Sequence, residues 1–564
     1  MTTSYDVPVL IVGAGPVGLL GAQLLGVRGV RALVVDKYAQ RLDAPKAHAL
    51  NPRSLEICAA AGLPMADIQT AATPTEQGRW VRLVATLAGP ELGALPYERQ
   101  DDGVREFTPW PLVNIAQPRF EAIVERSVST LPTVELRRGV EWIRCDQLAD
   151  VVISTLRERS TGREYTVRSR YLIGADGAGS VVRGNVGIRM DGPEALQHQM
   201  MIHFEADLRP LVGQRPAILY FLFGPGRRGV FIAYDIARTW VLMYPYDPQR
   251  TPPEAFSEAA CRDIVRGEIG AEVAGLVIKG ARPWAMSAQV ARCYRSGNAF
   301  VVGDAAHRFP PTGGLGLNTG IADVDNLAWK IAAVEAGWAA PEILDSYERE
   351  RRIVAQTNTG QSLANALRMR AVVQALGPVE GLDDAGFAAR LADPATRARL
   401  DAAVEFQRDH FDSLRLQLGY AYGDAPSADA ALPVSRFVPK AVVGARLPHV
   451  ACGARSTLDL VARDRVTVIA GPNDAAWRSL ATRAPVVVVA EGRDFAECDW
   501  SARMAIDRSG AIAVRPDGHV LAVALDANDA ADVAHAIDAY VTGASGQDAR
   551  AALASSQARA AVHI

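Results

Sequence analysis

Cysteine, lysine and long apolar runs are all scarce in this sequence. Its 564 residues include six cysteines, and no two of these form a C-x-x-C pair, which argues against a disulfide framework and against a thiol redox motif. No apolar run approaches the roughly 18 residues that a membrane-spanning helix requires, and the first apolar run reads as a strand and not as a signal peptide. We therefore expect a soluble, cytoplasmic protein with reduced cysteines, no membrane partner and no metal site.

Neither sign of charge is in excess. The chain has 60 lysines and arginines against 63 aspartates and glutamates, a net charge of −3, and a pI near 6.3, which gives no electrostatic footprint for nucleic acid. Only five of the cationic residues are lysine, and the scattered arginines are interpreted as a genome-composition effect and not as a binding surface. A chain of this length holds roughly two to four domains.

Glycine, by contrast, is placed where the chain passes from a predicted strand to a predicted helix. Residues 8–12 read as a strand, residues 19–27 as a helix and residues 32–35 as a second strand that ends at an acid. The G-x-G-x-x-G motif between the first strand and the helix predicts a dinucleotide site, in which the acid accepts the ribose hydroxyls. The residues assigned to this site are Gly13, Gly15, Pro16, Val17, Gly18, Asp36 and Lys37.

The same glycine pattern recurs at residues 224–229. Here it leads into the strand-like residues 230–233, and no acid is suitably placed after it. We interpret this second match as a hairpin turn.

Two further glycine-rich turns follow predicted strands. Residues 171–174 lead to Asp176, and residues 299–302 lead to Gly303, Asp304 and a loop with two prolines and several glycines. Apolar residues then recur at helical spacing, which predicts a helix from about Asn318 to Glu335. Such a loop lets the backbone approach a flat, anionic cofactor at a helix N-terminus.

Together the three motifs resemble those of the group A flavoprotein monooxygenases, the aromatic hydroxylases built like para-hydroxybenzoate hydroxylase. They occur in the family's order and spacing over residues 1 to about 430, and the resemblance continues more weakly beyond. It implies FAD as a non-covalent cofactor, O2 as oxidant and NADPH or NADH as a transient co-substrate, with the choice between the two left open. It also implies that a flavin C4a-hydroperoxide passes one oxygen atom to an electron-rich aromatic carbon.

The resemblance assigns further residues to the cofactor. It places Lys46 on the FAD pyrophosphate, where the family usually has an arginine, so the bidentate fork is lost. Gln117 is placed on FAD, with a plain role in starting the helix that follows as the alternative. Asp176 is placed near the pyrophosphate and the NAD(P)H path. The loop assigned to the ribityl chain and the flavin, whose backbone N–H groups stabilise the reduced ring, comprises Gly303, Asp304, Pro311, Gly314, Gly316, Leu317 and Asn318.

His48 and Pro311 are the residues assigned to catalysis. The pair Ala47-His48 before a helix over 52–61, together with the loop 307–311, looks most like the phenol-type branch, exemplified by dichlorophenol and hydroxybiphenyl monooxygenases. There a histidine at this position deprotonates the substrate hydroxyl, and the backbone at Pro311 faces the substrate. A lone histidine in an extended segment is otherwise often structural. His307 is interpreted as ordering its turn.

The predicted fold is α/β. The resemblance implies a Rossmann-like FAD-binding domain with an inserted antiparallel sheet for the substrate, and the C-terminal region resembles the thioredoxin-like α/β domain of the larger family members. In that last domain residues 457–460, 466–470, 486–489 and 519–524 read as strands and residues 475–481 and 530–541 as helices, while the lone Cys452 and Cys498 leave it without thioredoxin chemistry. The expected divisions are 1–190 and 285–370 (FAD-binding, with substrate-side strands at about 75–110), 191–284 (inserted sheet), 371–438 (helical connector), 439–545 (thioredoxin-like) and 546–564 (loose tail).

The leading functional interpretation is an FAD- and NAD(P)H-dependent monooxygenase that hydroxylates a phenolic ring, ortho to its hydroxyl. One alternative is a tailoring oxygenase that acts on a polycyclic or heterocyclic natural product. Another, of a different class, is an FAD-containing protein that binds an aromatic ligand without turnover. A flavin halogenase is disfavoured because no W-x-W-x-I-P segment exists. The oligomeric state is left open, with a homodimer as one alternative.

Overall fold

The computed structural model describes residues 5–41, 46–423, 432–483 and 485–543. Within these ranges no helix is both long enough and apolar enough to cross a membrane. The tail predicted at 546–564 lies outside the described residues.

In the described residues the strands form two large sheets, a four-stranded sheet near the C-terminus, a small three-stranded sheet and two short pairs. In chain order they are β1 (Val7–Val12), β2 (Ala32–Asp36), β3 (Ala49–Leu50), β4 (Trp80–Val84), β5 (Glu91–Pro96), β6 (Val113–Asn114), β7 (Val134–Arg138), β8 (Val140–Leu148), β9 (Val151–Glu158), β10 (Glu164–Gly174), β11 (Met190–Asp191), β12 (Gln197–Glu205), β13 (Leu219–Leu222), β14 (Val230–Asp235), β15 (Thr239–Tyr246), β16 (Val277–Met286), β17 (Gln289–Ala291), β18 (Arg295–Ser296), β19 (Ala299–Val301), β20 (His307–Arg308), β21 (Ala451–Cys452), β22 (Arg455–Ser456), β23 (Val466–Ala470), β24 (Val486–Ala490), β25 (Ala511–Val514) and β26 (Val520–Ala524).

The helices connect the strands or pack on the sheets. They are α1 (Pro16–Gly26), α2 (Pro52–Ala60), α3 (Met65–Ala71), α4 (Thr75–Gly78), α5 (Gln117–Val128), α6 (Val181–Asn185), α7 (Arg209–Val212), α8 (Glu258–Ile269), α9 (Leu315–Glu335), α10 (Asp345–Arg368), α11 (Arg370–Leu376), α12 (Asp384–Ala392), α13 (Pro394–Glu405), α14 (Arg408–Phe411), α15 (Leu414–Leu418), α16 (Trp500–Arg503) and α17 (Ala530–Val541).

The first large sheet has β1 at its centre, in the order β18-β19-β10-β1-β2-β7. Strands β19, β10, β1, β2 and β7 run parallel, as expected for strands whose apolar residues are buried on both faces by crossover helices. The carboxyl ends of parallel strands meet at one edge of the sheet. The turns after β1, β2, β10 and β19, which carry the predicted motifs, therefore come together there.

The second large sheet has seven strands in the order β16-β12-β15-β14-β13-β4-β5. Strands β13 and β14 pair antiparallel across residues 224–229, where Gly226 and Gly229 have φ of 66° and 108°. The hairpin interpretation of the second glycine pattern is therefore confirmed. Buried aromatic side chains, including Phe204, Phe231 and Trp240, form the core behind this sheet.

The C-terminal sheet has the order β24-β23-β25-β26, with β23 and β24 parallel and the other pairs antiparallel. The prediction of a strand at 457–460 is wrong, because Thr457–Leu460 forms a 3-10 turn. The Ser456 side chain accepts a hydrogen bond from a backbone N–H later in the turn, and the Asp459 side chain accepts one from the Ser456 N–H. This capping box outweighs the alternating apolar pattern. The helix predicted over 475–481 is also reduced to a 3-10 turn, Arg478–Thr482.

Cys452 and Cys498 form a disulfide, with 5.1 Å between their Cα atoms. The expectation that every cysteine is reduced and unpaired is therefore wrong for this pair. Forty-six residues separate the two in sequence, but the fold brings both into the hydrophobic cluster around Phe495 and Trp500. Cys58, Cys145, Cys261 and Cys293 are free.

Candidate cofactor and substrate site

The N-terminal motif and the motif around Asp176 contact each other through glycines that have no room for a side chain. Gly13 has φ of +107°, and a Cβ there would lie 2.4 Å from the carbonyl oxygen of Ala175. A Cβ at Gly18 would lie 1.9 Å from the carbonyl oxygen of Gly13. The Arg183 side chain lies in the helix that follows the Asp176 motif. It donates over 3.0 Å to the carbonyl of Ala305, in the third motif, which begins at Gly303. The three turns thus form one continuous wall.

The N-terminal motif has the geometry that the ADP half of FAD requires. Gly15 precedes α1 without any side chain capping the helix, and a Cβ at Gly15 would meet nothing within 4 Å. Open space at a helix N-terminus suits a pyrophosphate. Beside it, the half-buried Asp36 carboxylate accepts hydrogen bonds of 2.8 Å from the backbone N–H groups of Ala14 and Tyr38. Lys37, which follows β2, is exposed.

The third motif brings α9 against the loop after β19. Gly303 has φ of +58°, and a Cβ at Gly320 in α9 would lie 2.9 Å from the Gly303 Cα atom. Gly314 adopts the left-handed conformation, with φ of 62°, directly before Leu315, so α9 begins one turn earlier than predicted. Gly316 and Leu317 lie half-buried in that first turn. The free N–H groups of a 21-residue helix can stabilise negative charge at this end.

Asp304 offers an unused acceptor in the space beside the three turns, which we call the cofactor cleft. Its side chain is exposed, although protein atoms surround it closely enough that burial raises the pKa of the carboxyl, an effect that His307, Lys46 and Arg308 partly offset. A carboxyl that is accessible and yet closely surrounded by protein atoms lies in a recess and not on a convex surface. Among the described residues no group donates a hydrogen bond to this carboxylate, which suits it to the hydroxyls of a ribityl chain. The donors, glycines and open helix end of the cleft therefore fit FAD.

Three other predicted cofactor residues use their side chains within the protein. The carboxylate of Asp176 accepts from the Ser180 hydroxyl at 2.5 Å and the Val181 N–H at 2.7 Å, and so caps α6. Gln117, the first residue of α5, accepts from the Ala47 N–H at 3.3 Å. These residues shape the walls of the site, and their contact with FAD stays a prediction.

Asn318 is the third of these residues and joins three segments. Its Nδ2 atom donates to the carbonyls of Ala49 and Gly314 over 3.0 and 2.7 Å. Its Oδ1 atom accepts from the Asn51 N–H at 2.9 Å and from the Ser54 hydroxyl at 2.6 Å. The start of α9, strand β3 and the first turn of α2 are thereby held in one arrangement.

His48 lies just before β3, and its tautomer is set by its neighbours. The Nδ1 atom is 3.0 Å from Oδ1 of Asn114. The amide of Asn114 is oriented because its Nδ2 atom donates to the Gly78 carbonyl over 3.1 Å. Oδ1 can therefore only accept, which places the proton of neutral His48 on Nδ1 and leaves the lone pair on Nε2.

Aromatic rings surround this imidazole. The ring centroids of Tyr97 and Tyr234 lie 5.7 and 6.1 Å from that of His48. Tyr234, on β14 of the seven-stranded sheet, donates its hydroxyl to the Lys46 carbonyl over 2.6 Å, while the Lys46 side chain is exposed. Burial lowers the pKa of His48 to about 4, although the hydrogen bond to Asn114 acts in the opposite direction. The imidazole is thus neutral at pH 7 and available as a base.

The loop between β20 and α9 completes the wall. Pro311 is exposed, and its carbonyl accepts from the Gly314 N–H over 3.2 Å. His307 is fully buried with Nε2 2.8 Å from Asp323 Oδ2, and the same oxygen accepts from the Gly303 N–H at 3.2 Å. The interpretation of His307 as the residue that orders this turn is confirmed.

Sequence reasoning missed Tyr97, Asn114 and Tyr234. Each is brought to His48 by a different element, and none belongs to a motif. A cavity of about 280 Å³ between α2 and the C-terminal region is separate from this site, since its walls, which include Trp110, Asp325 and Arg463, contain none of the predicted site residues. Among the described residues there is no group of three or more His, Cys, Asp or Glu side chains that could hold a metal ion.

Comparison with known proteins agrees with the geometry of the cleft. Residues 6–362 match the FAD binding domain family, and residues 440–544 match the aromatic-ring hydroxylase C-terminal family. A 2,4-dichlorophenol 6-monooxygenase of Cupriavidus pinatubonensis is 32% identical over 95% of this chain and 96% of its own. A putative polyketide hydroxylase of Streptomyces halstedii is 33% identical over 92% of this chain and 93% of its own.

A solved structure extends the likeness to three dimensions. The crystal structure of the flavin-dependent monooxygenase PieE in complex with FAD and substrate is similar with a TM-score of 0.90, at 32% identity, over 95% of this chain and 100% of that chain. The fold of that protein resembles the fold described above, and its cofactor, FAD, is the one that the cleft fits. The chain belongs to the aromatic-ring hydroxylases with an FAD binding domain, and it is an FAD-dependent monooxygenase that uses NAD(P)H and O2 on a small aromatic substrate.

Proposed function

We propose that the substrate is a phenol, that hydroxylation occurs ortho to its hydroxyl, and that His48 is the base that removes the hydroxyl proton. The observation that carries this proposal is the hydrogen bond between His48 Nδ1 and Asn114, because it leaves Nε2 as a base among aromatic rings. The dichlorophenol monooxygenase relative supports the same class of substrate.

The cleft divides its tasks among the residues already described. Gly15, Asp36 and Asp304 would hold the ADP and ribityl parts of FAD, and the start of α9 would face the negative charge of the reduced ring. FAD, once bound and reduced by NAD(P)H, would supply the activation of O2, so that one oxygen atom of O2 enters the substrate and the other leaves as water. Everything that prepares the substrate for this transfer falls to the protein.

Proton transfer to His48 makes the ring more nucleophilic. When Nε2 accepts the phenolic proton, electron density rises at the ortho carbon, while Nδ1–H continues to donate to Asn114. Burial disfavours an isolated imidazolium, as the lowered pKa of His48 indicates. The phenolate forms beside it in the same step, however, and the attraction between the two opposite charges in a site of low dielectric offsets that cost. Tyr97 and Tyr234 contribute flat apolar walls.

The experiment is a His48→Ala variant assayed with a panel of phenols and naphthols, with products identified by mass analysis. Hydroxylation should slow by about 10²-fold or more at neutral pH, as is usual for loss of a general base, with FAD content unchanged. The rate should recover as the pH approaches the pKa of the substrate, since solvent then supplies the phenolate. A parental rate at neutral pH would show that His48 is structural.

A larger substrate is the second candidate, favoured by the polyketide hydroxylase relative. The same panel separates the two, because a tailoring enzyme should have a higher kcat/KM for polycyclic than for monocyclic phenols. Dependence on NAD(P)H favours the cytoplasm, where this reductant is regenerated. Neither nucleic acid nor a membrane is needed for this chemistry, and the choice between monomer and homodimer is for solution scattering to decide.

A further inference from the structure

Two chain segments bring the proposed base and its partner together. Strand β3 pairs with β6, which sets Ala49 opposite Asn114, and the Ile115 N–H donates to the His48 carbonyl over 2.6 Å. The first segment runs from His48 into α2. The second reaches Asn114 from the turn at 107–108. The hydrogen bond between His48 and Asn114 therefore depends on where α2 and this turn lie relative to each other.

The Arg446 guanidinium, in the C-terminal region, donates hydrogen bonds to both segments. Arg446 donates to both carboxylate oxygens of Glu56 in α2, over 2.7 and 2.5 Å. The same side chain donates to the carbonyl of Phe107 over 3.1 Å. The Thr108 hydroxyl donates to Glu56 over 2.6 Å, so the turn and the helix are also joined directly. The side chains of Arg446 and Glu56 are only 1% and 4% exposed, which shields these contacts from competing water.

The position of α2 is transmitted to the site by its first turn. Asn51 caps this turn by accepting from the Ser54 N–H at 2.9 Å. Both residues donate to Asn318 Oδ1, and Asn318 in turn donates to the Ala49 carbonyl. A shift of α2 would thus displace the residue next to His48 together with the start of α9.

Arg446 is itself fixed within the C-terminal region. It forms a backbone bridge with His519, and the nearby Asp517 carbonyl accepts from Arg53 of α2 over 2.5 Å. The C-terminal region therefore contacts α2 at two points, Arg53 and Glu56, about one helical turn apart.

We infer that Arg446 is a positioning residue for proton abstraction: through Glu56 and the turn at Phe107–Thr108 it sets the placement of His48 relative to Asn114. This gives the C-terminal region a part in the reaction without any contact with substrate. The inference rests on the proposed role of His48.

The test compares Arg446→Met with Arg446→Lys in the FAD-loaded enzyme. Arg446→Met should keep its FAD but lose about 10- to 10²-fold in kcat/KM for hydroxylation, the size of effect that a small misplacement of a catalytic group produces. Part of this loss should be recovered at high pH, as for His48→Ala, and Arg446→Lys should fall between the variant and the parent. Arg483→Met is the matched control, since it removes an exposed ion pair with Asp538 in the same region.

A double variant decides whether Arg446 acts through His48. Arg446→Met should cost less than about twofold when His48 is already alanine, because residues that act through one another are not additive. Equal losses in both backgrounds, or an Arg446→Met loss that is independent of pH, would overturn the inference and leave the base assignment intact. A parental rate in His48→Ala alone would instead overturn the base assignment.

If Arg446→Met does not fold, Thr108→Val provides a second test of the inference. It removes the hydrogen bond to Glu56 and a longer one, of 3.2 Å, that the Thr108 hydroxyl accepts from the Trp110 N–H, and it keeps the ion pair and the side-chain volume. A loss of about 2- to 10-fold in kcat/KM with the same recovery at high pH is expected. A parental rate and pH profile in both Thr108→Val and Arg446→Lys would contradict the inference.

Discussion

Burial keeps the His48 imidazole neutral, and this fixes how the enzyme should respond to acid. Because burial lowers the pKa of His48 to about 4, the nitrogen that accepts the proton is free at every pH well above that value. The contribution of His48 should be lost only as the pH falls through about 4, and not through the roughly 6.5 of an ordinary histidine. A profile of kcat/KM between pH 5 and 8 should thus show no acid limb due to His48, since kcat/KM reports the free enzyme. A limb near pH 6.5 that disappears in His48→Ala would contradict this.

Single residues of the cofactor cleft could be predicted because their chemistry depends on local sequence. Gly15 and Asp36 lie in a strand–turn–helix pattern that specifies their surroundings. The neighbours of His48 could not be predicted in this way. Asn114 and Tyr234 reach it from 66 and 186 residues away, and only the assembled sheets bring them together.

Helices and strands with a strong periodic pattern were predicted well. The α9 prediction ended at the correct residue, Glu335, and began three residues late because Gly314 turns the chain earlier than the apolar pattern suggests. The segment Thr457–Leu460 was misread because its alternating apolar residues resemble a strand, while two side-chain hydrogen bonds turn the chain. In this four-residue segment the capping hydrogen bonds, and not the alternation, determine the structure.

At the scale of elements, the close approach of α9 to the loop after β19 gives a prediction. In Gly320→Ala the added methyl group would meet Val17 Cγ2 at 2.8 Å and Gly303 Cα at 2.9 Å. Alanine favours a helix by about 1 kcal/mol over glycine, but overpacking against backbone costs about 1–3 kcal/mol, and the displaced loop carries Asp304. Gly320→Ala should therefore lower the melting temperature and weaken FAD binding, measured by thermal unfolding and by titration of the apoprotein.

Gly360→Ala is the matched control for that substitution. Gly360 lies in α10, is exposed, and a Cβ there would meet nothing within 4 Å. It should gain up to about 1 kcal/mol of stability with FAD affinity unchanged. Equal behaviour of the two variants would show that the α9 contact does not constrain the cofactor loop.

At the scale of the whole molecule, the disulfide gives the next prediction. Cys452 is only 3% exposed, half-buried Cys498 packs against the same C-terminal cluster, and no residue assigned to the cofactor or the substrate belongs to that cluster, so we expect the pair to be structural. Replacing both cysteines by serine should lower the melting temperature of the enzyme, since a cross-link that closes such a loop typically contributes about 2–4 kcal/mol. Turnover at 25 °C should stay near normal. A large loss of activity with unchanged folding would assign redox chemistry to this region.

Buried charges join the C-terminal sheet to the rest of the molecule. Glu350 of α10 accepts from Arg515 of the C-terminal region over 2.8 and 2.9 Å and from Lys330 of α9 over 2.8 Å. Burial alone would raise the pKa of Glu350, but the two cations outweigh it and lower the pKa to about 2. A charged group held in this way contributes stability that is present above pH 4.5 or so and is lost as the pH falls toward 2.

Arg515→Met should therefore weaken the whole molecule and not the C-terminal region alone. Removing one partner of a buried pair costs about 3–5 kcal/mol. Among the described residues Glu350 keeps only Lys330 as an ion-pair partner, and buried Asp517 loses the same guanidinium. The pKa of Glu350 should rise, so the stability difference from the parent should shrink as acid neutralises the carboxylate, and Glu350→Gln added to Arg515→Met should recover part of the loss. Calorimetry of the FAD-loaded enzyme should show one transition moved to lower temperature, whereas Arg465→Met, which removes an exposed ion pair with Asp464, should leave it in place. If the C-terminal region instead melts in a separate step while the FAD-dependent transition stays at the parental temperature, these charges do not couple the two regions.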